Sequence, residues 1–291
     1  MKAPPFLYRR PQDLDEALAL LADNLARAQV LAGGQSLVPS LNMRLSSPEM
    51  LVDINRIGAL RGIAERSDTI RIGALVRHAD VLDSALIARK LPLLAMAIPY
   101  VAHMAVRNRG TTCGSLALAD PSAEMPAVAV ALNADIVLHK RDAARTVSAR
   151  DFFQGLYQTS REDDEMISEV LFPVAAPDAV FGFAELTRRH GDFATVGIAA
   201  TARGASRGLD ELNVVIFGSE AMPLLSASAA GMTIDAALSD GALTEIAHGI
   251  TKVMDPIANH QGRADTKRAQ AAVLLKRTLK DMLGRAHAGA A

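Results

Sequence analysis

Two consecutive glycines, Gly33 and Gly34, separate a short apolar run from a stretch with helical periodicity. The apolar run covers residues 30–32, and leucines recur at helical spacing after the glycines, at Leu37, Leu41 and Leu45. A strand, a tight turn and a helix are therefore predicted in direct succession. A chain that contains such a unit belongs to a mixed α and β fold class.

The rest of the first 175 residues continues this mixture. Asp13 and Glu16 form a capping pattern, and an amphipathic helix is predicted after it. Strand-like stretches lie at 51–54, 69–72, 135–139 and 166–172, and a helical stretch covers about 82–97. Residues 106–115 are dense in small and polar side chains, which predicts a loop.

A proline-containing linker at 173–178 predicts a domain boundary. The first domain is predicted to cover residues 1–175, with subdomains at about 1–55 and 56–175. Beyond the linker, strands at 181–188, 195–202 and 212–217 precede helices at 240–254 and 266–283, an order typical of a small α+β domain at 178–285. Residues 286–291 form an alanine and glycine tail that we expect to be frayed.

The composition argues against several classes of partner. The 31 basic and 32 acidic residues nearly cancel, and no basic cluster with interleaved aromatics supplies a nucleic-acid surface. No uncharged stretch is long enough to cross a bilayer, and residues 1–5 lack a secretory pattern, so we expect a cytoplasmic location. The single cysteine cannot hold an iron-sulfur cluster, and the histidines lack metal-ligand spacing, so no metal site is predicted.

The glycine turn has the chemistry to hold a diphosphate. Gly33 and Gly34 allow positive φ and close approach of an anion to backbone N–H groups, while Gln35 and Ser36 add side-chain donors. The helix predicted at Leu37 would point its unpaired N–H groups at the same place. Taken alone, this pattern is also that of a plain tight turn.

The loop at 106–115 repeats that chemistry. Thr111 and Thr112 offer hydroxyls, Gly114 permits close backbone approach, and Ser115 is a candidate helix cap. Farther along, Asp120 and Glu124 are carboxylates of the kind that accept hydrogen bonds from ribose or ribityl hydroxyls. Neither loop matches the GxGxxG or P-loop pattern, so the two standard nucleotide folds are not indicated.

These motifs resemble the FAD-binding medium subunits of carbon monoxide dehydrogenase and related molybdenum hydroxylases, which share the flavin domain of xanthine dehydrogenase. The resemblance covers most of the first 173 residues and continues, more weakly, to about residue 283. The stretches that carry it are Pro5-Phe6-Leu7-Tyr8, Leu14-Asp15-Glu16-Ala17, Leu31-Ala32-Gly33-Gly34-Gln35-Ser36-Leu37, Leu51-Val52-Asp53-Ile54-Asn55, residues 106–116, Asp120-Pro121 and Glu124-Met125-Pro126.

The resemblance implies an α+β protein with a two-subdomain FAD-binding region of the vanillyl-alcohol-oxidase, or PCMH, type. A small C-terminal domain with a three-stranded sheet and helices would follow it. One FAD would be bound noncovalently, because no histidine or cysteine adjoins the Gly33-Gly34 turn. The implied contacts are Ala32, Gly33, Gly34, Gln35, Ser36, Leu37, Thr111, Thr112, Cys113, Gly114, Ser115, Asp120 and Glu124, with Val101 and Ile167 as apolar neighbours of the flavin ring.

The implied function is electron transfer within a larger complex. A large molybdenum-cofactor subunit would oxidise the substrate, a small two-iron two-sulfur subunit would pass electrons on, and FAD on this chain would deliver them to an external acceptor. A dimer of heterotrimers is expected. No side chain of this chain is predicted to be catalytic, since the redox chemistry belongs to the cofactor.

Three departures from the family pattern leave two alternatives open. Cys113 stands where the family has glycine, which would strain the loop if the position needs positive φ. The family's lysine is absent from residues 184–186, and its tyrosine is replaced by Thr266. The alternatives are a stand-alone FAD-dependent oxidase or dehydrogenase, and a scaffold subunit that has lost its flavin.

Overall fold

A parallel sheet opens the fold of this chain, for which the computed structural model describes residues 2–205 and 207–289. Its strands lie in the order β1, β3, β2. Asp13 caps the first helix by accepting a hydrogen bond from the Glu16 N–H at 2.9 Å, as its pattern predicts. The elements are β1 Leu7–Arg9, α1 Leu14–Asp23, β2 Ala28–Leu31, α2 Leu37–Met43 and β3 Met50–Asp53.

An antiparallel sheet forms the second part of the N-terminal region, and the predicted strands at 69–72, 135–139 and 166–172 are confirmed within it. The helical stretch expected at 82–97 is divided into short helices, because Ser84 caps a new helix and Pro92 begins another. The elements are β4 Ile63–Arg66, β5 Thr69–Gly73, α3 His78–Leu82, α4 Ala85–Lys90, α5 Pro92–Ala97, α6 Met104–Arg107, α7 Thr112–Leu118, α8 Glu124–Ala131, β6 Asp135–Lys140, β7 Ala143–Ser148, α9 Ala149–Phe152, β8 Phe153–Gly155, β9 Gln158–Thr159 and β10 Met166–Pro173.

The strand order of this second sheet is β4, β5, β10, β6, β7, so the last long strand of the region is its centre. All of its pairings are antiparallel. Strands β8 and β9 form a separate small hairpin. The central position of β10 places Ile167 near the end of the sheet that faces the predicted loops.

The C-terminal region is an antiparallel sheet covered by two helices. Three long strands form its body, as expected, and two short strands, β14 and β15, extend it by pairing with β13. Helix α11 continues beyond residue 286, where a tail was expected, and positions 290 and 291 lie outside the described residues. The elements are β11 Ala179–Leu186, β12 Val196–Ala205, β13 Gly208–Phe217, β14 Leu224–Leu225, β15 Met232–Asp235, α10 Asp240–Thr251 and α11 Ala264–Gly289.

The C-terminal sheet buries both of its faces. One face contributes Phe183, Ala199 and Phe217 to the core of the N-terminal region, against α5 and α8. The opposite face packs on α10 and α11 and forms a second core with residues such as Ile198 and Val214. The two regions therefore share one core, and the sheet is fixed relative to the site described below.

Gly182 on β11 tests how tightly α11 packs on this sheet. A Cβ at this position would lie 2.5 Å from Thr278 Cγ2 and 2.7 Å from Met282 Sδ. We expect Gly182→Val to lower the free energy of unfolding by about 1–3 kcal/mol, because the helix must move outward. Urea unfolding measures the change.

A matched glycine variant provides the control. Gly249 lies in α10 with no heavy atom within 4 Å of a Cβ built on it. Gly249→Ala should raise the free energy of unfolding by about 0.5–1 kcal/mol, because alanine favours a helix over glycine. Equal stability of Gly182→Val and the unmodified chain would contradict the packing described.

Candidate functional site

An open cleft of about 900 Å³ lies where the two loops singled out in the sequence come together. This volume falls within the ~300–1,000 Å³ typical of ligand pockets. One wall is the turn after β2, another is the start of α7, and a third comes from the C-terminal region through residues 188–193 and 260–261. The cleft thus draws on both sheets of the N-terminal region and on the C-terminal region.

Gly33 is the point at which the two loops touch. A Cβ on Gly33 would lie 2.4 Å from the carbonyl oxygen of Arg109 and 2.8 Å from the Cα of Gly110. Both of these neighbours are backbone atoms, so neither can move aside as a flexible side chain would. Gly34 is needed for a different reason, since its φ is +70°.

Asn55 and Arg77, two residues that the sequence reasoning missed, tie the loops together from behind. Asn55 Nδ2 donates to the carbonyl oxygen of Ala32 at 2.9 Å, and Asn55 Oδ1 accepts from Arg77 Nη2 at 2.5 Å. Arg77 Nη1 donates in turn to the carbonyl oxygen of Arg109. One hydrogen-bonded chain therefore runs from the first loop to the second, through residues separated widely in sequence.

The second loop is shorter than predicted, because a helix replaces part of it. Residues 106–115 were expected to be a loop with Ser115 as a cap, but α7 begins at Thr112. Thr111 is the actual cap: its Oγ1 accepts a hydrogen bond from the Gly114 N–H at 3.0 Å. Ser115 lies within the helix, where its N–H donates to the Thr111 carbonyl oxygen.

Cys113 is accommodated without the strain that its position suggested. It lies in the first turn of α7 and is absent from the residues with positive φ. Its thiol is buried against the Ile72 carbonyl oxygen, with Sγ 3.7 Å from that atom. Burial raises the pKa of Cys113 to about 12, so the group stays a neutral thiol.

The structure brings nearly all of the predicted contact residues to the cleft. Thr112 is the exception: its side chain is fully buried in α7, and its Oγ1 has no partner among residues 2–205 and 207–289. Residues that line the cleft but lay outside the prediction include Arg188, Phe193 and His260 of the C-terminal region. The predicted residues in the lining are Ala32, Gly33, Gly34, Gln35, Ser36, Leu37, Val101, Thr111, Cys113, Gly114, Ser115, Asp120, Glu124 and Ile167.

Carboxyl groups with raised pKa values cluster at the start of α8. Burial raises the pKa of Glu124 to about 7, and the charge of Asp120 adds to the effect. Glu185 on β11 behaves similarly, with its pKa raised to about 8 by burial and by Glu124. The pKa of Asp120 is also raised by burial, although the Ser122 N–H and the Tyr157 hydroxyl donate to its oxygens at 2.9 and 3.2 Å.

Known protein families account for both regions of the chain. A family model for the "FAD binding domain in molybdopterin dehydrogenase" matches residues 4–175, and one for the "CO dehydrogenase flavoprotein C-terminal domain" matches residues 181–282. This chain belongs to that flavoprotein family. The resemblance noted in the sequence and the predicted fold class are thereby confirmed, and FAD is the cofactor of the flavoprotein.

Individual relatives are similar over nearly their whole length. The alpha subunit of the 6-hydroxypseudooxynicotine dehydrogenase complex of Paenarthrobacter nicotinovorans is 36% identical, over 98% of this chain and 97% of its own. The carbon monoxide dehydrogenase medium chain of Hydrogenophaga pseudoflava is 35% identical, over 96% and 97%.

Two solved structures superpose on nearly the whole of this chain. Carbon monoxide dehydrogenase from Hydrogenophaga pseudoflava superposes with a TM-score of 0.92 at 34% identity, over 98% of this chain and 99% of that one. Quinoline 2-oxidoreductase from Pseudomonas putida 86 gives a TM-score of 0.92 at 32% identity, over 98% and 99%. At this level of identity the flavoprotein shares the complete fold of both.

The residues of the cleft fit FAD. Gly33 and Gly34 leave backbone N–H groups free to approach a diphosphate, and within the described ranges the N–H groups of Gln35 and Ser36 donate no hydrogen bond. Hydroxyl-binding carboxyls and apolar side chains such as Val101 line other parts of the same cleft. A dinucleotide with an apolar ring at one end matches this combination of groups.

Gly33→Ala is expected to weaken FAD binding about 5- to 150-fold. The new Cβ would press on the Arg109–Gly110 backbone, and overpacking of this kind costs about 1–3 kcal/mol, where 1.4 kcal/mol is tenfold in affinity. Gly58→Ala is the control, because nothing lies within 4 Å of its Cβ position. Flavin fluorescence titration of the apoprotein measures both, and unchanged affinity in a folded Gly33→Ala variant would refute the loop contact.

Glu124 should make the stability of the apoprotein depend on pH. Its pKa is raised from 4.5 to about 7, so the folded chain keeps a proton that the unfolded chain releases. The free energy of unfolding should therefore fall as the pH rises from about 4.5 through 7, by up to about 3 kcal/mol from this group.

Glu124→Gln should flatten that dependence and raise stability at pH 8 more than at pH 5, as measured by urea unfolding. Glu245→Gln, which changes an exposed carboxyl on α10, is the control and should leave the pH profile unaltered. A pH profile for Glu124→Gln that is parallel to that of the unmodified chain would show that Glu124 is not a buried titrating group.

Proposed function

We propose that this flavoprotein is the FAD-carrying electron-transfer subunit of a heteromeric molybdenum hydroxylase. The observation that carries the proposal is the cleft in which the two loops meet at Gly33, within a chain that matches medium chains from end to end. Its place in the reaction lies between an iron-sulfur subunit, which donates electrons, and an external acceptor.

We assign the FAD contacts by the chemistry of the cleft. The backbone N–H groups of residues 33–36 hold the diphosphate, and residues 111–115 approach it from the second loop. The N–H groups of Gly114 and Ser115 are already bonded to Thr111, so they take no part in that hold. Asp120 and Glu124 accept or donate hydrogen bonds at ribose or ribityl hydroxyls, and Val101 and Ile167 contact the flavin ring. Thr112 supports α7 from inside the core. The proposal has one FAD per chain, held noncovalently.

Bound FAD supplies the redox chemistry of the subunit, since it exchanges electrons singly or in pairs. The role of this chain is to bind the FAD and to orient it. The hydrogen bonds from Asn55 and Arg77 hold the two loops against each other in a fixed arrangement, so the cofactor meets a preformed surface. Cys113 does not take part, because its thiol is buried and neutral.

The partners in the proposal are a large molybdenum-cofactor subunit and a small two-iron two-sulfur subunit, assembled as a dimer of heterotrimers. Support comes from the relatives, which are themselves called a complex subunit and a medium chain. Residues 2–205 and 207–289 hold no group of three histidine, cysteine or acidic side chains close enough to bind a metal ion. A cytoplasmic location belongs to the same proposal; no helix in those ranges is both long and apolar enough to span a membrane.

No observation favours either of the two alternatives, the stand-alone oxidase or the flavin-free scaffold. A stand-alone oxidase requires a separate substrate-binding domain, whereas relatives aligned over 97% of their length are subunits of larger enzymes. The flavin-free scaffold rested on the expected strain at Cys113, and the start of α7 at Thr112 removes that strain.

Co-expression with genomic neighbours tests the proposal. The isolated chain should carry about one FAD that acid precipitation releases, yet organic substrates should not reduce that flavin anaerobically. Reduction should appear only when large and small subunits co-purify with it, because this chain has one cysteine and cannot ligate a cluster. Rapid reduction by an organic substrate in the isolated chain would favour the stand-alone oxidase, and a chain that never takes up FAD would favour the scaffold.

A further inference from the structure

His78 is a buried histidine on the wall of the cleft, and neither of its ring nitrogens has a hydrogen-bond partner in the described ranges. The residue is 4% exposed, its Nδ1 is completely enclosed, and the side chain lines the cleft. Buried polar groups are nearly always hydrogen-bonded in native proteins. Because the enclosed Nδ1 cannot be reached from the cleft, a molecule bound in the cleft can complete the bonding of the imidazole only at Nε2.

His78 is held against the second loop at two points, one on its backbone and one on its ring. The backbone N–H of His78 donates to the Gly110 carbonyl oxygen at 3.0 Å. A Cβ on Gly110 would lie 2.9 Å from His78 Cδ2 and 3.4 Å from Nε2, so the loop needs glycine here to admit the ring. The Nε2 edge of the ring therefore lies beside Gly110, the same residue that Gly33 contacts from the first loop.

His78 is a neutral hydrogen-bond donor in this environment. Burial lowers its pKa to about 4, and the nearby charges of Arg107 and Arg77 lower it further in the same direction. One ring nitrogen of a neutral imidazole carries the proton. Because orphaned N–H groups are rarer in protein interiors than orphaned acceptors, the enclosed Nδ1 is the bare nitrogen and Nε2 carries the hydrogen.

We propose that His78 is an additional FAD-binding residue, whose Nε2–H donates a hydrogen bond to the diphosphate of FAD. The inference rests on the proposed function, because it needs FAD in this cleft. The diphosphate is the fitting acceptor, since Nε2 lies beside Gly110 at the junction of both loops and in the positive field of Arg77 and Arg107. At this junction the neutral imidazole can donate its single N–H to a phosphate oxygen.

The binding test compares variants that separate hydrogen bonding from packing. His78→Leu keeps an apolar side chain of similar bulk, and we expect the Kd for FAD of the full-length apoprotein to rise about 10- to 100-fold, as for a hydrogen bond to a charged group. His78→Gln returns an N–H donor and should recover most of that affinity. His248→Leu removes an exposed histidine on α10 and should change nothing.

ADP distinguishes the diphosphate from the flavin as the acceptor. ADP shares the diphosphate of FAD, so its Kd should rise in His78→Leu by the same factor. A loss for FAD with none for ADP would overturn the assignment to the diphosphate. Equal affinity of His78→Leu and the unmodified chain for FAD would overturn the whole inference, whereas failure of the unmodified chain to bind FAD would strike at the proposed function instead.

Nitrogen-15 NMR of histidine-labelled protein gives a readout that a packing role would not move. The resonances of His78, assigned by their loss in His78→Gln, should show the neutral Nε2–H form at pH 7, and the Nε2 signal should shift when FAD or ADP is added. A proton on Nδ1, or an Nε2 signal indifferent to both ligands, would refute the hydrogen bond.

Discussion

Burial of helix α8 on all sides is the constraint on which the arrangement of the molecule depends. All of its 8 residues are buried, and it packs against α5 on one side and against β12 and β13 on another. Such a helix has no polar face to present to water, so both regions must close around it. Its first residue, Glu124, is thereby kept from bulk solvent and confined to the cleft. The packing that joins the two regions also positions a carboxyl in the site.

Asp53 has a comparable role for the loops. The Tyr8 hydroxyl and the Asn55 amide both donate to its carboxylate. Burial alone would raise the pKa of Asp53, but these hydrogen bonds hold the pKa below its ordinary value. The fixed Asn55 then supports Ala32 and, through Arg77, the second loop. The cleft is preformed because a buried anion at the end of β3 orders a series of donors behind it.

Features of the fold that depend on neighbouring residues could be predicted from the sequence, and features that depend on distant ones could not. The capping residue Asp13 and the positive φ of Gly34 follow from local chemistry. The sequence predicts Gly33 as a site residue because it lets an anion approach the backbone. The structure adds that its missing side chain makes room for the backbone at Arg109, which is distant in sequence. Ser115 is the cap that the sequence predicts, whereas the structure makes Thr111 the cap, a choice that depends on the paired geometry of the loops. The position of Phe193 in the cleft lining depends on how the C-terminal sheet packs on α8. No local sequence pattern reveals that packing.

Two arginines beside the cleft direct side-chain donors to partners within the protein. Arg77 spends its donors on Asn55 and on the Arg109 carbonyl, and Arg107 donates to the carbonyl oxygens of Val101 and Ala102. In the proposed FAD site, backbone N–H groups such as those of Gln35 and Ser36 face the diphosphate, and the positive field behind them strengthens the interaction. Backbone donors do not titrate, so the hold on a diphosphate stays constant across the neutral pH range. The carboxyl of Glu124 in the cleft lining and that of its neighbour Glu185 on β11, with pKa values of about 7 and 8, change charge within that range. Glu124, which the proposed function places at an FAD hydroxyl, therefore adds a pH-dependent contact to a site whose backbone donors do not titrate.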